Sequence, residues 1–176
     1  MGGVQKALLR APDTDESLVA RLLRLGRQAG FEPVLLGAAD LGGEARGVPQ
    51  LPDFAPDIGP LAALTSLLRH AGTRPAVCLA CDMPYLTAPL LERLAHEQPD
   101  ALVLAPRELD TGKWQPLFAR YDSPRVAPVL ATALAQGERS FQALFKRLSV
   151  SELALSAHER ASLRDWDTPA DMRASP

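Results

Sequence analysis

Four places in the chain carry side chains that could act on a charged substrate. Asp82 closes a short apolar run, Ala76 to Cys81, and is followed by Met83-Pro84. Such an unbroken run reads as a strand buried on both faces of a parallel sheet, and the proline ends its ladder. A lone carboxylate at the carboxyl end of that strand stands where open α/β sheets bind ligands. Holding a divalent cation against phosphates is a natural use for it; capping the turn is the plainer alternative, and this stretch alone leaves both open. Near the amino end, Gly2 and Gly3 precede Lys6, which suits a loop whose amides and ammonium hold phosphates. Asp53 lies in a proline-rich loop ahead of Gly59-Pro60, where aspartate is also a common turn former. Asp165 and Asp167 precede Thr168-Pro169, where either could cap a helix.

The elements that must position these groups alternate. Asp13 and Glu16 have capping-box spacing ahead of a helix with Leu18, Leu22, Leu25 and Ala29 on one stripe, closed by Gly30. Glu32 to Gly37 reads as a buried strand, and a Gly- and Pro-rich loop covers Ala38 to Pro56. Gly59-Pro60 opens a second helix through Leu61, Leu64 and Leu68. After the Asp82 strand, Thr87 can cap a helix from Ala88, with Leu90, Leu91 and Leu94 on its buried face. Ala101 to Ala105 and Leu117 to Tyr121 read as strands, Ser123-Pro124 starts a helix reaching Gly137, Ser140 caps another, and Leu153 to Leu155 is a weak strand. The pattern predicts one domain over residues 1–176, a three-layer Rossmann-like α/β sandwich with a mostly parallel sheet. The usual first strand, expected before Gly2, is missing from this pattern.

Composition narrows the function. A formal charge of −2 without a Lys/Arg stripe argues against a nucleic-acid partner. No apolar run reaches membrane-spanning length and MGGVQKALLR lacks a signal-peptide core, so a cytoplasmic protein without a membrane partner is expected. Cys78 and Cys81 are the only cysteines. Inside a strand their thiols would point to opposite faces, which suits small apolar side chains better than a redox or metal pair. Trp114 and Trp166 are expected in loops, where packing or stacking on a planar ligand is open to both.

Taken in order, these features resemble the molybdenum cofactor guanylyltransferases, the MobA-type members of the nucleotide-diphospho-sugar transferase fold. Met1 to Ala7 is similar to the second half of that family's Gly-rich signature. Pro52-Asp53, Gly59-Pro60-Leu61-Ala62, Cys81 to Pro84, Gln115 to Tyr121 and Gly137 to Ser140 match further segments. The resemblance implies transfer of GMP from GTP to the phosphate of molybdopterin cofactor, with release of pyrophosphate. It implies Lys6 and Asp82 as the catalytic pair and Asp82 as the ligand of Mg²⁺, with Mn²⁺ as a substitute. Gly2, Gly3, Lys6, Asp53 and Asp82 would contact the nucleotide, and Asp165 and Asp167 would lie beside the acceptor. Other proteins of molybdenum cofactor biosynthesis are implied as partners.

Two departures keep alternatives open. The Leu-Ala-Gly-Gly-x-Ser-x-Arg half of the signature has no counterpart, which fits either a start assigned too far downstream or an N-terminally truncated, non-catalytic relative that binds nucleotide weakly or acts through protein contacts. The family's Asn-x-Asn is Asp165-Trp166-Asp167 here, and carboxylates repel a phosphate while binding metal better than amides do. A cytidylyltransferase or sugar-phosphate nucleotidyltransferase is therefore the further alternative.

Overall fold

The first long helix begins where Ser17 caps it. The Ser17 hydroxyl accepts from the Ala20 amide, and α1 runs Leu18–Gln28. Gly30 follows at φ +81°, a left-handed conformation that costs glycine little. Sequence spacing places the cap at Asp13, with Glu16 as its partner. Ser17 takes that role instead, and Arg24 holds both carboxylate oxygens of Glu16. The computed structural model describes residues 6–12, 14–37, 40–54 and 59–166, so Asp13 lies outside the described residues.

Two very short strands come next, β1 (Leu35–Leu36) and β2 (Gln50–Leu51), paired in parallel. The buried strand expected over Glu32 to Gly37 is thus two residues long, and only half-buried. Helix α2 (Pro60–Ala71) opens on Gly59 at φ +71°, with proline in the first turn, where its missing N–H costs nothing. Then follow β3 (Ala76–Leu79), α3 (Ala88–His96), β4 (Val103–Ala105) and β5 (Phe118–Tyr121). The chain closes with α4 (Ser123–Ala135), α5 (Phe141–Phe145), β6 (Val150–Glu152) and α6 (Ala157–Ser162).

The larger sheet has the order β3-β5-β4-β6. β5 runs antiparallel to both neighbours while β4 and β6 are parallel, so β3, β4 and β6 share one direction. The reversal has a local cause: β4 and β5 are joined by a turn, closed by an antiparallel bridge between Arg107 and Trp114, and no crossover helix intervenes. The expected strand at Leu153 to Leu155 sits three residues earlier. Leu153 still donates its amide to the Ala105 carbonyl, then turns its side chain into the core with Leu155.

Side chains alternate between two apolar layers, as strand geometry demands. Val103, Ala105, Ala119 and Tyr121 pack with α2 and α4 on one face. Leu104 and Phe118 pack with Leu25, Leu90, Leu91 and Leu94 of α1 and α3 on the other. This is the expected three-layer α/β arrangement. Buried Arg120, on β5, donates to the Leu94, Ala95 and Gln98 carbonyls and so satisfies the end of α3 with a cation. No helix among the described residues is long and apolar enough to cross a membrane.

Arg93 of α3 ties the carboxyl-terminal part to this frame through Glu159 and the Ala154 carbonyl. Glu159 completes a capping box with Ser156. The Ser156 amide, then Arg93 and the Ser156 hydroxyl, lower its carboxyl from an ordinary value near 4.5 to about 2. A depressed folded-state pKa gives stability that is present above the unfolded value and lost as pH falls from 4.5 towards 2. Urea midpoints for Glu159→Gln should therefore lie below wild type at pH 7, with the gap narrowing as pH falls from 4.5 towards 2; a constant gap across that window would contradict the assignment.

Candidate active site

The strands that carry the candidate residues end on one edge. Arg74 and Glu32 precede β3 and β1 and form an ion pair of 2.6 Å, so both strands start at the same side. β2 is parallel to β1, and β4 and β6 run with β3. Asp53, two residues past β2, and Asp82, three past β3, therefore both stand at the carboxyl edge of the sheet.

The apolar run expected to stay a strand through Cys81 leaves the ladder earlier. Ala80 makes the last bond, donating to the Leu117 carbonyl at 2.8 Å, and Cys81 and Asp82 form a turn. Cys81 is consequently exposed at that turn, while Cys78 is buried in the strand. Burial pushes the Cys78 thiol up to about 12, which keeps it protonated and inert. The two cysteines do not form a reactive pair.

Three groups hold the turn in place. Arg21, projecting from α1, donates Nε to the Pro84 carbonyl at 2.9 Å and Nη2 to the Leu86 carbonyl at 2.8 Å. The Trp166 amide donates to the Asp82 carbonyl at 3.1 Å. Leu86 is fully buried and anchors the descent into α3. Thr87 stands at the N-cap of α3 as expected, although its hydroxyl makes no cap bond; the backbone carbonyl accepts from Leu91. With its backbone fixed, Asp82 presents its side chain to the amino-terminal segment, where Lys6 donates Nζ to Oδ2 at 3.3 Å. The two side chains keep 28% and 20% of their exposure, so neither is sealed in the core.

The other candidates are placed less closely. Asp53 is exposed just beyond β2, and Asp165 is exposed next to Trp166. Gly2, Gly3 and Asp167 lie outside the described residues. Trp166 is buried against Ala11 and Leu18, edge-on to Tyr85 at 6.3 Å, which is a packing role. The Trp114 ring carries the Arg107 guanidinium 4.0 Å from its centre. Among the described residues no group of three or more His, Cys, Asp or Glu side chains is arranged to hold a metal. Sequence reasoning missed Arg21 altogether, because an arginine on an amphipathic helix reads as a solvated side chain until its distant partners are known.

An α/β sandwich with a lysine and an aspartate joined across the carboxyl edge of its sheet fits the class of nucleotidyltransferases with the nucleotide-diphospho-sugar transferase fold. Residues 1–153 match the family described as the MobA-like NTP transferase domain, and the chain belongs to that family. It is 34% identical over 183 residues to a probable molybdenum cofactor guanylyltransferase of Opitutus terrae, covering 96% of this chain and 85% of that protein. Among solved structures it is similar to molybdopterin-guanine dinucleotide biosynthesis protein A from Archaeoglobus fulgidus, with TM-score 0.75, 24% identity, and coverage of 97% and 88% of the two chains. The 2-C-methyl-D-erythritol 4-phosphate cytidylyltransferase of Thermus thermophilus shares the fold at TM-score 0.67 and 17% identity, over 96% and 90% of the two chains. The resemblance read from the motifs is thus matched over nearly the whole chain.

Arg21 makes two charge-assisted bonds to one turn, each of a kind worth about 1.5–3 kcal/mol when a partner is lost. Arg21→Met should lower unfolding free energy in urea by about 3 kcal/mol, and Arg21→Lys should recover less than half, because an ammonium cannot reproduce the fork. Full recovery by lysine would show that charge alone holds the turn.

Proposed function

We propose that the protein transfers GMP from GTP to the phosphate of molybdopterin cofactor and releases pyrophosphate. The observation that carries this reading is the Lys6–Asp82 pair at the carboxyl edge. A partly exposed ion pair contributes about 1 kcal/mol or less to folding, so stability gives little reason to bring together groups 76 positions apart. Binding a polyanion with its counter-ion gives a good one. The curated relative from Opitutus terrae supports the same reading by its name.

In this reading an oxygen of the acceptor phosphate attacks the α-phosphorus of GTP, in line with the departing pyrophosphate. The new bond joins that oxygen to phosphorus, and the α–β bridging bond breaks with its electron pair leaving on pyrophosphate. Lys6 turns from Asp82 to the phosphoryl oxygens and offsets the charge that builds on them. Asp82 is the residue that would hold Mg²⁺, or Mn²⁺. One carboxylate suits such an ion, which keeps several waters and takes its remaining ligands from substrate phosphates. When bound, the ion supplies charge neutralisation and orientation of the phosphates. Gly2, Gly3 and Asp53 serve the nucleotide, and Asp165 and Asp167 serve the acceptor side. No covalent enzyme intermediate is required, so rate comes from positioning and electrostatics. The partners in this reading are GTP, molybdopterin cofactor and the proteins that pass the cofactor on.

Purified protein with Mg²⁺, GTP and molybdopterin should form the guanine dinucleotide, and Asp82→Ala should lose at least about 100-fold in turnover with its melting temperature kept. Unchanged turnover in Asp82→Ala would remove the metal assignment. Faster turnover with CTP than with GTP would move the protein to cytidylyl transfer, and no transfer with either would leave a binding protein.

A further inference from the structure

A pocket of about 400 Å³ opens between α5 and the turn that joins β4 to β5. Trp114, Phe145 and Leu148 give it apolar walls, and Arg107 and Lys146 bring two cations to its lining. The Trp114 wall is fixed from both sides. Its carbonyl accepts from Gln142 Nε2 at 2.7 Å, and its ring lies 6.4 Å from that of Phe145, centre to centre. Arg107 meets the Trp114 ring, and among the described residues no carboxylate pairs with Arg107 or with Lys146. Gathering two like charges at one pocket is unfavourable, and an anion arriving there would relieve it.

The turn itself carries the complementary pattern. Glu108, Leu109 and Asp110 follow Arg107 directly, and Leu109 is 76% exposed. One exposed leucine needs no explanation by itself, but this one is held out by a loop tied to itself. The Glu108 amide donates to the Lys113 carbonyl at 2.9 Å, and the Gly112 amide returns to the Glu108 carbonyl at 3.0 Å. The Thr111 hydroxyl donates to the Glu108 carboxylate and accepts from the Lys113 amide. Gly112, at φ +65°, makes the tight return possible. An apolar anchor fixed in this way loses little freedom when it is covered. Lys113 is the one cation of the loop, against its two carboxylates.

We propose that the β4–β5 loop docks into this pocket on a second copy of the chain, and that the two copies pair about a two-fold axis. Leu109 enters between Trp114 and Phe145 of the other copy, and Asp110 pairs with its Lys146. A two-fold contact is self-complementary, so each copy must carry both patterns, and this chain does. They also adjoin: Leu109 lies two residues beyond Arg107, about 7 Å of extended chain. Two loops laid side by side in opposite directions therefore fill both pockets at once. One loop and one pocket per copy make a small interface, below about 1,200 Å² in total, so the dimer is a weak one. Neither surface includes a residue assigned to the nucleotide or the acceptor.

Sedimentation equilibrium on the full chain, from about 1 to about 200 µM, tests this pairing. Wild type should pass from monomer to dimer in that range, with a dissociation constant that rises as salt is added. Leu109→Asp should raise that constant at least about tenfold. Asp110→Lys and Lys146→Glu should each weaken the dimer, and the double variant should regain most of the loss, because the swapped charges meet again across the axis. Circular dichroism identical to wild type shows that each variant folds. A chain that stays monomeric throughout would overturn the inference, whether or not the pocket takes a small carboxylate such as benzoate. A dimer indifferent to Leu109→Asp, or a double variant as weak as its two single losses combined, would overturn it as well.

Discussion

The turn from Cys81 to Leu86 must leave a buried strand, hold one carboxylate towards solvent and return the chain to a helix within a few residues. That manoeuvre releases backbone carbonyls that neither ladder nor helix can use. Each would cost about 1–3 kcal/mol if left buried without a donor. Arg21 takes those of Pro84 and Leu86, and the Trp166 amide takes that of Asp82. The donors come from opposite ends of the chain, so the amino-terminal helix and the carboxyl-terminal segment close on the turn between them. Lys6 arrives beside Asp82 as part of that closure.

Charge is used differently in the core and at this edge. Arg120 is buried and spends all its reach on carbonyls at the end of α3, where a cation without partners would be costly. Arg93 binds Glu97, Glu159 and a carbonyl, and its work is to fasten helices together. The Lys6–Asp82 pair differs from both in keeping part of its surface exposed, at 28% and 20%. Stability elsewhere in the molecule lets this edge remain open to solvent.

Much of this was legible in the sequence, and the misses share a cause. Thr87, Gly59-Pro60 and Ser140 announced their helices because caps and proline act on adjacent residues. The position of Asp82 at the carboxyl edge was legible because it follows directly on the apolar run that becomes β3. The reversal of β5 was not legible, because a strand such as Phe118–Tyr121, buried on both faces, shows the same apolar pattern in either direction. Arg21 was invisible for the same reason: its partners lie 63 and 65 positions away, and no local pattern encodes them. The brevity of β1 was not legible either: among the described residues it pairs only with the two residues of β2, a long-range fact that the apolar spelling of Glu32 to Gly37 does not encode.

The central claim is that Lys6 and Asp82 act together on one nucleotide, and a double-mutant cycle on GTP affinity with Mg²⁺ present tests it most directly. Titration calorimetry on wild type, Lys6→Met, Asp82→Asn and the double variant gives the four affinities. The account predicts that the double variant loses clearly less than the two single losses combined, with a coupling of about 1 kcal/mol or more. Losses that add within about 0.5 kcal/mol would mean that the two groups serve separate ends, and would contradict it.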